Sequence, residues 1–506
     1  MESEKDGENP EVEKICFLRR FLDKYQVLIL SILTLVFLSG PHHLYGIVMD
    51  CEKFQSISPP VFFIAIQMIM QPCLVESEDN IGQNHLRKIL TCGSLIFSIG
   101  VFLAGIAELI FQEKNLLFSL LYGALGGIGA FLTTTILRRI FEKLFGKRDS
   151  HLIDVILAGS QAISQLSFPV LLSLIRMEYG REMTVIILAS ILMHTLPLVL
   201  LISQPHLNQP VHNLVRYHSV KLNDLEMPPN SMKRWGNISG INNNFEEEDQ
   251  PMKNMTSQGV EILDTIPEED EGVSGKSVEI QEIKPKEYLE DLPGRKWLFF
   301  LEYWQEFLKI FTQLFINPFR YIVERQTLVP GVILKACDVF IYILMVSGLP
   351  CYASGSTFSL NFFDTGIFLT LMATPILVVT FSSAWMDDVL REEAKYWHIA
   401  GEICKLIGCI VTTCAQTLFF LRMGVLFLGI GQGVFSVVQD RVLREITHEN
   451  DWRKTKCHTS AVCGYLVLIF TFFTNNLLHF TLRTIFLTSA VFYSAAILIF
   501  TLTIYF

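Results

Sequence analysis

Apolar stretches of about 18 to 25 residues, long enough for an α-helix to cross the hydrocarbon core of a bilayer, recur along the chain with polar breaks between them. They lie near residues 25–48, 59–76, 89–111, 117–137, 152–175 and 181–203, and again near 327–349, 358–385, 396–418, 420–438, 459–479 and 482–505. The pattern predicts an all-α membrane protein with about 12 transmembrane helices in two six-helix halves. The chain then divides into an N-terminal tail (1–24), a first half (25–203), an acidic interval (204–296), a lead-in helix (297–323) and a second half (324–506).

The polar interval is rich in Asn, Pro, Ser, Glu and Lys and lacks apolar periodicity, the composition of a segment that cannot bury enough surface to fold, so disorder is expected there. Its C-terminal end differs. Trp297, Leu301, Trp304, Leu308, Phe311 and Phe315 recur at helical spacing, opposite Glu302, Gln305, Glu306, Lys309 and Gln313. That stripe predicts an amphipathic helix lying in the membrane interface. As a thirteenth span it would set its charges in lipid at about 2.5–3.5 kcal/mol each.

Composition supports the membrane reading: of 506 residues 51% are hydrophobic and only 18% charged. Much of the acid behind the net charge of −10 sits in the central interval, at Glu246 to Asp249 and Glu268 to Glu271, and nothing in the balance points to nucleic acid. The charged start, Met1 to Lys14, is no cleavable signal. Basic residues collect at Lys14, Arg19, Arg20 and Lys24, at Arg138, Arg139, Lys143, Lys147 and Arg148, and at Arg441, Arg444, Arg453, Lys454 and Lys456. Since basic short loops stay inside, all three clusters put both termini and the central interval in the cytoplasm, with the plasma membrane as the expected location.

Ionisable groups within spans are costly and are functional candidates for that reason. His42 and His43 follow the helix-weakening Gly40-Pro41, and a histidine can take up a proton or bond an anion when charged. Lys335 and Asp338 stand three apart in the seventh span, a spacing that lets them face and partly neutralise each other. These three, His42, Lys335 and Asp338, are the candidates for substrate or proton binding, against the plainer readings of an interfacial histidine and a structural ion pair. Glu402 and Lys405 repeat the spacing in the ninth span and read as a structural pair. Gly123, Gly126, Gly127 and Gly129 read as helix-packing positions rather than a phosphate loop, since no strand precedes them. Lys147 and Arg148 form a loop that either clamps helix ends, contacts acidic lipid heads or is simply solvated. The eleven cysteines show no CxxC pair, so neither a disulfide framework nor a metal site is expected. No HExxH, GxSxG or P-loop pattern occurs in a usable setting, and no cofactor or enzymatic activity is expected.

Two six-helix halves joined by a long cytoplasmic loop suggest the major facilitator fold, whose halves rock about a midplane site. The local sequence is narrower. Tyr122 to Gly129, then Phe145-Gly146-Lys147-Arg148, Ala158-Gly159-Ser160, Phe168-Pro169 and Glu178-Tyr179-Gly180 follow in order. So do Phe315-Ile316-Asn317-Pro318, Leu349-Pro350-Cys351-Tyr352-Ala353, Gly429-Ile430-Gly431-Gln432-Gly433 and Ser460-Ala461-Val462-Cys463-Gly464. This series resembles the monocarboxylate transporter family, solute carrier family 16, across both membrane halves but not in the terminus or loop.

The resemblance implies a secondary-active carrier of small organic anions such as monocarboxylates, working by alternating access with or without a proton, in contact with membrane lipid. It leaves a single-span ancillary subunit undetermined. The chain also departs from the family. The first helix opens on Leu22-Asp23-Lys24-Tyr25-Gln26 instead of a glycine- and tryptophan-rich acidic motif. The family's aspartate and arginine of helix eight fall on Ile376 and Thr380, and its lysine after a proline in helix one falls on His42. Two alternatives therefore stay open: a proton-independent carrier of amino acids or other small solutes, and a transport-dead scaffold or sensor.

The predicted topology has a direct test. The sequons Asn237-Ile238-Ser239 and Asn254-Met255-Thr256 lie in the central interval and are expected to remain unglycosylated in cells. A glycosidase-sensitive mobility shift that is lost on Asn237→Gln or Asn254→Gln would reverse the topology.

Overall fold

Helices make up nearly all of the described chain, as they must where lipid offers backbone groups no hydrogen-bond partner. The computed structural model describes residues 10–48, 58–75, 83–111, 115–146, 150–202, 304–355, 358–447, 452–477 and 481–505. The acidic interval, Lys147 and Arg148, and Trp297 and Leu301 of the lead-in helix lie outside them.

The first half comprises α1 (Pro10–Val48), α2 (Ser58–Ile69) with a following turn at Pro72–Val75, α3 (Gln83–Phe111), and α4, which joins Asn115–Phe118, a π-helical turn at Ser119–Leu125 and Gly126–Phe145. It closes with α5 (His151–Gly180) and α6 (Met183–Leu201). The second half comprises α7 (Val329–Gly355), α8 (Phe362–Ser383), α9 (Ala394–Cys414), α10 (Leu418–Thr447), α11 (Trp452–Leu477) and α12 (Leu482–Tyr505). Among the described residues ten helices are long and apolar enough to cross a membrane, and the apolar parts of α1 and α2, Tyr25–Pro41 and Ser58–Ile69, are shorter.

Several helices outrun their apolar windows. α1 begins at Pro10 and α10 runs on to Thr447. A helix that has left the hydrocarbon core still satisfies its own backbone, so hydropathy marks the membrane faces and not the helix ends. Between α5 and α6 the helix is interrupted at Gly180, whose φ of 72° is a conformation that only glycine adopts cheaply. No side chain within 4 Å would contest a Cβ there, so conformation rather than space accounts for the glycine.

The glycines of α4 occupy a close crossing. A Cβ at Gly129 would fall on the backbone nitrogen of Phe97 in α3, at Gly127 it would lie 2.8 Å from the Phe63 carbonyl of α2, and at Gly123 2.8 Å from the Pro59 carbonyl. Gly126 is looser, with the Phe63 ring 3.5 Å away. Beside the crossing, Tyr45, Phe63, Phe118 and Tyr122 pack ring on ring, Phe118 stacking on Tyr122 at 5.2 Å. The Tyr122 hydroxyl donates to the carbonyl of Pro41 in α1, at a point where proline has weakened that helix.

The described part of the lead-in helix, 304–324, carries a ladder of rings. Trp304 stacks on Phe307 at 5.4 Å and Phe311 on Phe315 at 4.7 Å, with Phe307 joining the two pairs. The ladder ends on Tyr465 of α11, whose ring lies 5.4 Å from both Phe315 and Phe319 and whose hydroxyl donates to the Leu314 carbonyl. Trp304, Phe307 and Phe311 are exposed.

Gly129 and Gly126 should therefore respond differently to one added methyl. Gly129→Ala has to push α3 and α4 apart, a cost of about 1–3 kcal/mol, and should lower the melting temperature of detergent-purified protein. Gly126→Ala should leave it nearly unchanged. Equal effects would contradict the packing.

Candidate functional site

The two halves meet where α1 lies on α7, α2 on α11 and α5 on α8. At Gly46 of α1 a Cβ would lie 2.8 Å from the Val346 carbonyl, so the α1–α7 crossing is backbone on backbone. At the end of the bundle that carries the basic helix termini, Arg453 of α11 donates to Glu142 of α4 at 3.2 Å, and Lys456 approaches Asp154 of α5 at 3.9 Å. His151 of α5 contacts the Ser383 carbonyl of α8 at 3.1 Å. At the opposite end, Asn475 donates to Ser58 at 2.8 Å. There Arg176 of α5 bonds the Ile47 carbonyl and sets its guanidinium 3.7 Å over the Phe362 ring of α8. The halves thus touch at both ends.

Midway between the ends, three side chains from both halves converge. The Tyr342 hydroxyl of α7 donates to Gln165 Oε1 of α5 at 2.6 Å and lies 3.1 Å from His43 Nδ1 of α1. His43 and Gln165 are buried, and Gln165 Nε2 has no hydrogen-bond partner among the described residues. An amide donor left unsatisfied in a dry interior costs about 1–3 kcal/mol. An acceptor brought to that nitrogen would satisfy it.

Behind Tyr342 the second half holds a buried charged cluster. Lys405 of α9 donates to Asp338 Oδ1 at 2.5 Å and to the Asp338 carbonyl at 3.2 Å, and also bonds Gln432 Oε1 of α10. Its ammonium lies 5.5 Å from the Tyr342 ring centre and 5.3 Å from that of Phe435. Tyr493 of α12 bonds both Asp338, at 2.9 Å, and Glu402. Asp338, Lys405 and Glu402 are each no more than 1% exposed.

Two expected pairings are corrected. Lys335 feels the charge of Asp338, but its ion pair is with another acid. It bonds Asp440 of α10 at 3.2 Å, and Asp440 is also bound by Lys456. Glu402 and Lys405 likewise go to different partners, Tyr493 and Asp338. Helical side chains lean toward the helix N-terminus, so Lys335, which precedes its acid, is carried away from Asp338, whereas Lys405, which follows Glu402, is held instead by Asp338 and Gln432 of neighbouring helices. Of the two adjacent histidines, His43 points into the seam, while the side chain of His42 lies outside the described residues, as do Lys147 and Arg148. Gln165, Tyr342, Asp440 and Tyr493 were not legible as site residues, although Lys335, Asp338 and Tyr342, at i, i+3 and i+7, share one helix face.

A buried pair is worth little in itself, but removing one member leaves the other uncompensated, at about 3–5 kcal/mol. Asp338→Asn should accordingly destabilise the protein strongly, and Lys405→Met added to it should recover much of the loss. Additive losses in the double-mutant cycle, read from melting temperatures, would refute direct pairing.

The family model described as Major Facilitator Superfamily matches residues 59–451, more than half of the chain. Among solved structures, the xylose transporter XylE from E. coli, in a partially occluded inward-open conformation, matches with a TM-score of 0.52. That match covers 94% of this chain and 98% of the other at 12% identity, a likeness of fold. No curated protein matches the chain. Its helices, its two-half architecture and the family match together make the chain a multi-pass membrane protein that belongs to the Major Facilitator Superfamily of small-solute transporters.

Proposed function

We propose that the protein is a secondary-active carrier of small organic anions, monocarboxylates being the best fit, and that the solute binds in the seam at His43, Gln165 and Tyr342. The observation that carries this reading is the hydrogen-bonded bridge between the halves at their midpoint, with one amide donor to spare. A carboxylate accepts several hydrogen bonds at once; the Gln165 amide offers one donor, and the Tyr342 hydroxyl offers a second once it turns from Gln165 Oε1. Alternating access follows from the two sets of end contacts. Opening toward the basic end costs Arg453–Glu142 and His151–Ser383, while opening the other way costs Asn475–Ser58. The positive-inside rule makes the basic end cytoplasmic, and the motif resemblance to monocarboxylate transporters favours the plasma membrane.

The charge of the anion needs an answer inside the membrane. Lys335 and Lys405 are already held by Asp440 and Asp338. Arg176 lies toward the opposite end, on the Ile47 carbonyl and the Phe362 ring, and the cation of this reading is a histidine of α1, His43 or its neighbour His42, which becomes positive only by taking up a proton. Anion and proton then bind together as a neutral load, and neither crosses alone. The occupied lysines also favour a second reading, a proton-independent carrier of amino acids or other uncharged or zwitterionic solutes, because the remaining triad is built from neutral groups. The exposed ring ladder at 304–315 supports docking of the lead-in helix in the lipid interface.

In proteoliposomes, uptake of a small carboxylate should rise as external pH falls. Tyr342→Phe should reduce uptake about tenfold, the loss of one hydrogen bond worth roughly 1.4 kcal/mol. His43→Gln should remove the pH dependence if His43 is the group that takes up the proton. Flux indifferent to pH would select the second reading, and absence of flux across a carboxylate panel would sink the first.

A further inference from the structure

The proton inventory of the cluster behind Tyr342 does not close if both its acids are ionised. Tyr493 has one hydroxyl hydrogen, yet its oxygen bonds two carboxyl groups, Asp338 Oδ1 and Glu402 Oε2. Asp338 Oδ1 also receives the Lys405 ammonium, which makes Asp338 the ionised partner. With the phenol donating to Asp338, the contact to Glu402 is a hydrogen bond only if Glu402 supplies the hydrogen.

A second, independent observation points to the same group. The other carboxyl oxygen, Glu402 Oε1, lies 3.6 Å from His398 Nδ1, one turn earlier on α9. Both atoms are buried, and neither has a hydrogen-bond partner among the described residues. One hydrogen between them would serve both. The Phe435 and Phe500 rings pack against His398, which is buried.

We propose that Glu402 is a proton-binding site, held as the neutral acid in this form, and that it shares its proton between Tyr493 on one side and His398 on the other. The proton rests on Oε2 toward Tyr493 or on Oε1 toward His398, and transfer between these places needs only rotation of the carboxyl group. The charged and titratable groups facing Glu402 are Asp338 and Cys337 of α7, Tyr493 of α12, and His398 and Lys405 of α9 itself. On α10 the neutral Gln432 amide bonds Lys405, and Asp440 is occupied by Lys335 and Lys456. With Glu402 neutral, the cluster of Asp338, Lys405 and Glu402 sums to zero. Without its proton the cluster would hold one uncompensated negative charge and Lys405 would be drawn toward two acids. The lysine that packs beneath Tyr342 would then move, and with it the bridge between the halves. This role rests on the carrier reading, but its first measurement does not.

Infrared difference spectra between H2O and D2O, taken on the full chain in lipid at neutral pH, should show a protonated-carboxyl stretch that shifts down in D2O. Glu402→Gln should abolish the band, and Glu392→Gln, at an exposed acid, should leave it. Tyr493→Phe should keep the band but move it to higher frequency, because the acid loses a hydrogen-bond partner. A band that survives Glu402→Gln, or its absence from the unmodified protein, overturns the proposal. Loss of the band in a protein that moves no solute would uphold the proton site while ending the carrier reading. Persistence of the band in Glu402→Gln protein that still carries solute would do the reverse.

Discussion

The second half is arranged around the cost of keeping charge away from water. An ammonium and a carboxylate are tolerated in the interior only when each is matched by the other and by further hydrogen bonds, and Lys405 with Asp338 meets that condition using atoms from α7, α9, α10 and α12. Four helices are thereby fixed to one point. The same requirement selects the neighbouring interactions: Lys335 is matched by Asp440, and Asp440 in turn by Lys456. What reaches the seam from this half is the neutral end of the arrangement, the Tyr342 hydroxyl.

The first half is assembled by another means. Its middle is held by close backbone approach, with Gly127 and Gly129 letting α4 lie on α2 and α3, and by the aromatic group around Tyr122. Packing of this kind needs no counter-ions, and the polar groups that this half brings to the seam, His43 and Gln165, meet a partner from the other side. An electrostatically anchored half and a sterically packed half thus meet at a small polar bridge.

The spans were legible because a bilayer imposes a length, and length is a one-dimensional property. The helix ends were less so: α10 continues past its apolar window to Thr447 through residues no hydropathy window would keep. Side-chain pairing failed for a different reason. Spacing along one helix shows which residues share a face, as it did for Lys335 and Asp338, but not which foreign helix that face meets, and Asp440 lies 105 positions away from its lysine. Residues with no charge, Gln165, Tyr342 and Tyr493, gave the least signal, since their importance comes only from what converges on them. Of the two histidines, the motif comparison drew attention to His42, while the geometry brings His43 to Tyr342.

The break at Gly180 has a mechanical meaning. α5 passes into α6 through a single reoriented residue, with no slack segment between them. A displacement of α5, which carries Gln165 in the seam and Asp154 near the basic end, is transmitted to α6 as through a stiff elbow and is not absorbed by a loop. The pair would travel as one lever, and lengthening the elbow by a few flexible residues would decouple its arms while leaving every contact of the seam in place.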